Sequence, residues 1–173
     1  MSALEHVTHP FAPEYDSTSQ ILILGSFPSV QSRKQNFYYA HPQNRFWKVL
    51  GEIFNEEVGS TMEQKKAFLK AHHIALWDVI EQCSIQGSSD SSIRDVIPTN
   101  LSYILEHSKI TTIFCNGKKA LQLFDRYQKP NGLQATSLPS SSPANAAFRL
   151  ERLVEEWKPL ILEALEKEDL KSM

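Results

Sequence analysis

The chain has 173 residues, 41% of them hydrophobic and 22% charged, with a formal net charge of −2. That is enough chain for one domain with a sizeable core, in the composition of an ordinary soluble globular protein. The charge excludes binding of a polyanion by global attraction, although a few placed cations suffice for a local phosphate-binding face.

No run reaches the roughly 18 apolar residues needed to cross a bilayer. The start, MSALEHVTHP, lacks the basic and apolar regions of a signal peptide. Cys83 and Cys115 form no CxxC pattern, so a disulfide framework, a metal–thiolate site and an iron–sulfur cluster are unsupported. The expectation is a single cytoplasmic domain over residues 1–173, monomeric, with no metal and no cofactor.

Residues 1–19 are polar, carry two prolines, and read as a leader on the surface. Gln20 to Leu24, QILIL, reads as a buried strand closed by Gly25. After a polar segment, Arg45 to Phe54 has apolar residues at helical spacing, and Met62 to Ala71 is a second helix. His73 to Trp77 is the second strand, and Gln86 to Ser92 is a loop by composition. Leu101 to His107 is a short helix with Thr99 or Asn100 as its cap. Thr111 to Cys115 is the third strand, and Gly117 to Tyr127 the next helix. Asn131-Gly132 is a turn into a fourth strand, Leu133 to Leu138. Ala146 to Glu166 is a terminal helix with one apolar stripe, followed by charged residues expected to fray.

Strands separated by helices predict an α/β fold, a three-layer α/β/α arrangement with a central, mainly parallel four-stranded sheet. Ligands of such sheets bind at the carboxyl ends of the strands. Those exits are GSFPS (25–29), WDVIEQC (77–83), NGKKA (116–120) and LPSSSPAN (138–145). Small, polar and proline residues concentrate there, where a backbone must approach a ligand closely.

Asn44, in YYAHPQNRFW (38–47), directly precedes an apolar helix. It suits first an N-cap, and alternatively a carboxamide that holds a water or a leaving base. The two roles coexist only if its oxygen is shared. Asp78 suits either a turn cap or an acceptor for a ligand N–H. Asn116 precedes Gly117 and suits a turn, or a side chain that donates and accepts together.

GSFPS, YYAHPQNRFW, WDV, NGKKA and LPSSSPAN, in this order, resemble the hypoxanthine-DNA glycosylase branch of the uracil-DNA glycosylase superfamily. HPQNRFWK also resembles the mismatch-specific uracil glycosylase branch. The likeness runs from about Ile21 to Leu165. It implies a DNA partner and hydrolysis of the N-glycosidic bond of a deaminated base, hypoxanthine or uracil.

The resemblance also implies roles. Phe27 stands where several branches place the Asp or Asn that positions the attacking water. Phenylalanine cannot polarise water, and the resemblance transfers that role to Asn44. Asn116 joins it in catalysis or base recognition. Tyr39 matches the aromatic that stacks on an extruded base. Ser26, Phe27, His41, Trp77 and Asp78 are implied to line the base site. Pro28, Ser29, Ser140, Ser141, Ser142 and Asn145 are implied to contact the DNA backbone. In related branches the last loop supplies a histidine to the departing base, and residues 138–145 hold none.

Arg33, Lys34, Arg45, Lys48, Lys118, Lys119 and Arg149 are candidates for a phosphate-binding rim. Asn145 also suits a cap for the terminal helix. A rival reading is a protein that binds lesions without cleaving them, favoured by Phe27 and the missing histidine. A lyase would need a lysine nucleophile, Lys118 or Lys119. A serine hydrolase lacks support, because GSFPS is not a GxSxG elbow.

Overall fold

The computed structural model describes residues 4–171, with side chains described as far as Glu166. The strands are β1 (Glu5–Thr8), β2 (Ile21–Gly25), β3 (Ile74–Asp78), β4 (Ile80–Ile85), β5 (Arg94–Pro98), β6 (Thr112–Asn116) and β7 (Thr136–Leu138). The helices are α1 (Val30–Gln35), α2 (Phe46–Phe54), α3 (Met62–Ala71), α4 (Ser102–Glu106), α5 (Lys118–Tyr127) and α6 (Leu150–Lys171).

Four strands form the expected sheet, in the order β3-β2-β6-β7, and every pairing in it is parallel. β2 lies inside this sheet and is buried along its whole length. That is why its sequence is a continuous apolar run instead of an alternation. Ile21 and Ile23 pack on one face with α2, α3 and α6, around the fully buried Phe46, Trp157 and Phe114. Leu22 and Leu24 pack on the other face with Ala120, Leu123 and Phe124 of α5 and Ile104 of α4. Helices on both faces give the three-layer α/β/α architecture.

A second sheet was not foreseen. It is antiparallel, in the order β1-β4-β5. β4 follows β3 after one residue, so the chain leaves the parallel sheet at Asp78 and enters the second at Ile80. Val79 N–H bonds the Gly25 carbonyl at 2.8 Å, pinning this crossing.

Of the surface leader expected over residues 1–19, residues 1–3 lie outside the described residues, and the rest is corrected. Glu5 to Thr8 pair with Ile85 to Gln82, and Glu14 bridges Leu76 of β3. The polar composition misled because β1 is mostly exposed and is held by backbone ladder bonds. The turn at Asn131-Gly132 is present, closing a 3-10 turn over Lys129–Asn131, but the fourth strand is shorter than expected, since only Thr136–Leu138 pair with β6. α6 begins at Leu150, so the chain from Pro139 to Arg149 is an extended loop and not helix. α6 continues as helix through Lys171, past the expected end at Glu166, and residues 172–173 lie outside the described residues.

Candidate active site

The strand register brings the site together. Gly25 pairs with Asp78, Leu24 with Cys115, and Asn116 with Leu138. All four strand exits of the parallel sheet therefore end at one level, around a cavity of about 310 Å³. GSFPS contributes Gly25 through Ser29 to its lining, the 38–47 segment contributes Tyr39, His41 and Asn44, and the last loop contributes Ser140 to Ala144.

One wall is a chain of hydrogen bonds whose polarity is forced at both ends. Ser141 N–H donates to Asn116 Oδ1 at 3.0 Å. A backbone amide can only donate, so Asn116 Nδ2 is the group that donates to Ser141 Oγ, also at 3.0 Å. Ser141 Oγ then passes its own hydrogen to Asn44 Oδ1 at 2.8 Å. Phe46 N–H donates to that same oxygen at 3.0 Å, so Asn44 does serve the start of α2. The Asn44 oxygen is thus shared between two donors. Asn44 also lines the cavity, and its oxygen is the engaged end of the carboxamide.

A second part of the lining holds Asp78, 3% exposed. His9 Nε2 contacts its Oδ2 at 2.7 Å. Thr99 Oγ1 donates to the Asp78 carbonyl at 2.8 Å, fixing the backbone there. Gly25 is required beside it, because a Cβ at that position would sit 2.5 Å from Asp78 Oδ1 and 3.1 Å from the Tyr39 hydroxyl. Tyr39 has φ +53°, a conformation costly for a non-glycine residue. Phe46 stacks on one face of its ring at 3.9 Å. Its hydroxyl is buried with no hydrogen-bond partner among the described residues. Burial, then the nearby Asp78 carboxylate, pushes this phenol well above its usual range, so it stays protonated.

The last loop is held from below. Arg45 donates to the Ser142 carbonyl at 2.7 Å, to those of Ser141 and Asn145 at 3.3 and 3.2 Å, and to that of Phe148. Gly117 lets this loop approach: a Cβ there would lie 3.0 Å from Ser140 Cβ. Ser140 and Ser142 hydroxyls accept N–H groups of Ser142 and Ala144 at 3.1 Å each. Their own hydrogens remain available to an anion.

The structure gathers most of the expected residues. Asn44, Asn116, Ser26, Phe27, Pro28, Ser29, Tyr39, His41, Asp78, Ser140, Ser141 and Ser142 all line the cavity. Trp77 does not. Alternation along β3 turns it away from Asp78, and it packs against both hydrophobic clusters. Asn145 does not line it either; its carboxamide bonds the Ser140 carbonyl at 3.0 Å, within the loop, and it does not cap α6. Ser141 is 1% exposed, and its hydroxyl is used between two asparagines. Arg45 and Arg33 are likewise committed to carbonyls, the latter to Gly87 at 2.6 Å. Asn100, not Thr99, bonds the first turn of α4.

Sequence reasoning missed His9, Ser88 and Asp90. Asp90 lies at the rim, where it accepts the Ser26 hydroxyl at 2.9 Å. Partial desolvation raises its carboxyl above the usual range, against the opposing effect of that bond. The aspartate in the serine-rich 86–92 loop was the only signal that this loop joins the site.

The uracil DNA glycosylase superfamily matches residues 12–166, nearly the whole chain. This chain belongs to that superfamily. Among its relatives is the hypoxanthine DNA glycosylase of Methanosarcina acetivorans, 37% identical over 150 residues, which are 86% of this chain and 94% of that protein. The hypoxanthine DNA glycosylase of Methanosarcina barkeri is 34% identical over 137 residues, 78% of this chain and 86% of that protein. A solution NMR structure of a candidate uracil DNA glycosylase from M. acetivorans superposes with a TM-score of 0.76 at 35% identity, covering 89% of this chain and 96% of that one. The superfamily's fold is thus the one seen here, with the cavity at its sheet's carboxyl edge.

Proposed function

We propose that this DNA glycosylase removes a deaminated base by hydrolysing its N-glycosidic bond, with hypoxanthine as the first candidate base. The observation that carries the mechanism is the forced polarity of the Asn116–Ser141–Asn44 chain. A base turned out of the duplex enters the cavity between Phe27 and Tyr39, whose rings supply apolar surface. As the bond from C1′ to the base nitrogen breaks, the electron pair leaves with the base and the sugar becomes cationic. Water then attacks C1′. The developing base anion needs a placed donor, and Asn44 offers its amide N–H groups because its oxygen is already engaged. This role differs from holding water. It also stands in for the histidine absent from residues 138–145.

Asp78 accepts a base N–H, as the lactam edge of hypoxanthine or uracil provides. Ser140 and Ser142 contact the DNA phosphates. Neither Lys118 nor Lys119 lines the cavity, which favours a hydrolase over a lyase.

The test is alkali-revealed strand cleavage of duplexes containing inosine, uracil or mismatched thymine. Cleavage at inosine above uracil is expected, and borohydride should trap no adduct. Asn44→Ala should lower the single-turnover rate about 100-fold, the scale of one preorganised donor, while DNA binding survives. An unchanged rate would remove Asn44 from the mechanism. Binding to lesions without cleavage of any substrate would leave a lesion-binding protein.

A further inference from the structure

The N-terminal segment does more than close the second sheet. β1 pairs with β4 through Thr8↔Gln82, and the next residue, His9, donates its backbone N–H to the Glu81 carbonyl at 2.6 Å. This fixes His9 beneath the cavity, with its side chain 4% exposed and that of Asp78 5% exposed. The imidazole sits among Phe11, Phe27 and Tyr38, with ring centroids 4.6, 5.9 and 6.2 Å away. Phe11 N–H points at Nδ1 at 3.5 Å, which places the ring proton on Nε2, facing Asp78 Oδ2 at 2.7 Å. Asp78 Oδ1 lies beside Gly25, and both residues line the cavity. The superfamily match begins at residue 12, so His9 lies outside it.

We propose that His9 is a positioning residue for base selection: by holding Oδ2 of Asp78 it presents Oδ1 as a fixed acceptor that favours a base edge bearing N–H over one bearing a lone pair. This inference rests on the reading of Asp78 as the group that meets the base. Hypoxanthine carries N–H at N1 and would donate to Oδ1. Adenine carries a lone pair at the same position and would face the carboxylate with two acceptors opposed, leaving both unpaired in a buried site. A carboxylate without the His9 donor would be free to rotate or to take water, and the preference would fade. His9 need not touch the base; its effect passes through Asp78.

Binding separates this from a structural role, and it does not require chemistry. Duplexes carrying 2′-fluorinated deoxyinosine or deoxyadenosine resist cleavage and allow equilibrium titration. The full chain should prefer the inosine duplex at least tenfold. His9→Phe keeps a ring among Phe11, Phe27 and Tyr38 but has no donor. It should bring the preference within twofold while affinity for undamaged duplex is unchanged. His9→Gln, which restores an N–H near the Nε2 position, should recover most of the preference. In an Asp78→Ala background, His9→Phe should have no further effect on it. A preserved preference in His9→Phe would overturn the inference, as would loss in both His9 variants with equal loss of thermal stability. No preference in the unmodified chain would instead sink the reading of Asp78 on which it rests.

Discussion

The two polar walls of the cavity are built in opposite ways. The Asn44–Ser141–Asn116 wall joins residues from three recognisable motifs, and backbone amides fix the polarity of every bond in it. The His9–Asp78 wall joins a strand-exit aspartate to a residue 69 positions earlier, in a segment without a motif. On the proposed reading, the first wall offers a donor and the second an acceptor. A lactam base needs both: an acceptor for its N–H and a donor for its departing charge. We take the first wall to serve the chemistry and the second to serve the choice of base.

Each wall can be broken separately. The largest effect expected is that of Asn44→Ala, about 100-fold on the rate, because it removes the donor itself. Ser141→Ala should cost about tenfold, since Asn44 keeps its bond to Phe46 N–H but loses the one from the serine. A double-mutant cycle sharpens this point. On the Asn44→Ala background, Ser141→Ala should add less than about twofold, because the two act as a unit. Independent losses would mean that Ser141 does not act through Asn44.

Arg45 supports the first wall from outside. It organises the last loop by donating to four carbonyls, and Lys cannot reproduce that planar fork. Arg45→Lys should slow cleavage by about fivefold and make residues 139–149 more open to limited proteolysis. If the loop remains protected, the clamp is redundant with the Trp157 Nε1 bond to the Pro139 carbonyl at 2.9 Å.

The smallest effect is expected at the cysteines, which belong to neither wall. Burial pushes the thiol of Cys83 up to about 11 and that of Cys115 up to about 12. At pH 8 both are thiols and not thiolates, so alkylation of the native protein should be negligible and become fast only on unfolding. Rapid labelling with retained structure would show that the core under the cavity opens locally.

Much of the cavity was legible in the chain itself, because apolar runs mark the parallel strands and ligands of such sheets sit at their carboxyl ends. GSFPS, NGKKA and LPSSSPAN could be placed around one site on that rule alone. The second sheet was not legible. β1 shows little apolar alternation, and β4 continues from β3 with one residue between them. Three consecutive serines at 140–142 look alike in sequence, and only the loop's path buries Ser141 between two asparagines while Ser140 and Ser142 stay half-buried.

What the sequence determined by itself, then, was the parallel sheet, the helices that cover it and the residues gathered at its rim. Local periodicity and turn chemistry encode those directly. What only the tertiary structure decided was direction and partnership: which atom of Asn44 is engaged, which serine is spent inside, and that His9 contacts Asp78. Hydrogen-bond polarity and contacts across long sequence separations depend on where the chain goes in space, and no local pattern of residues carries that information.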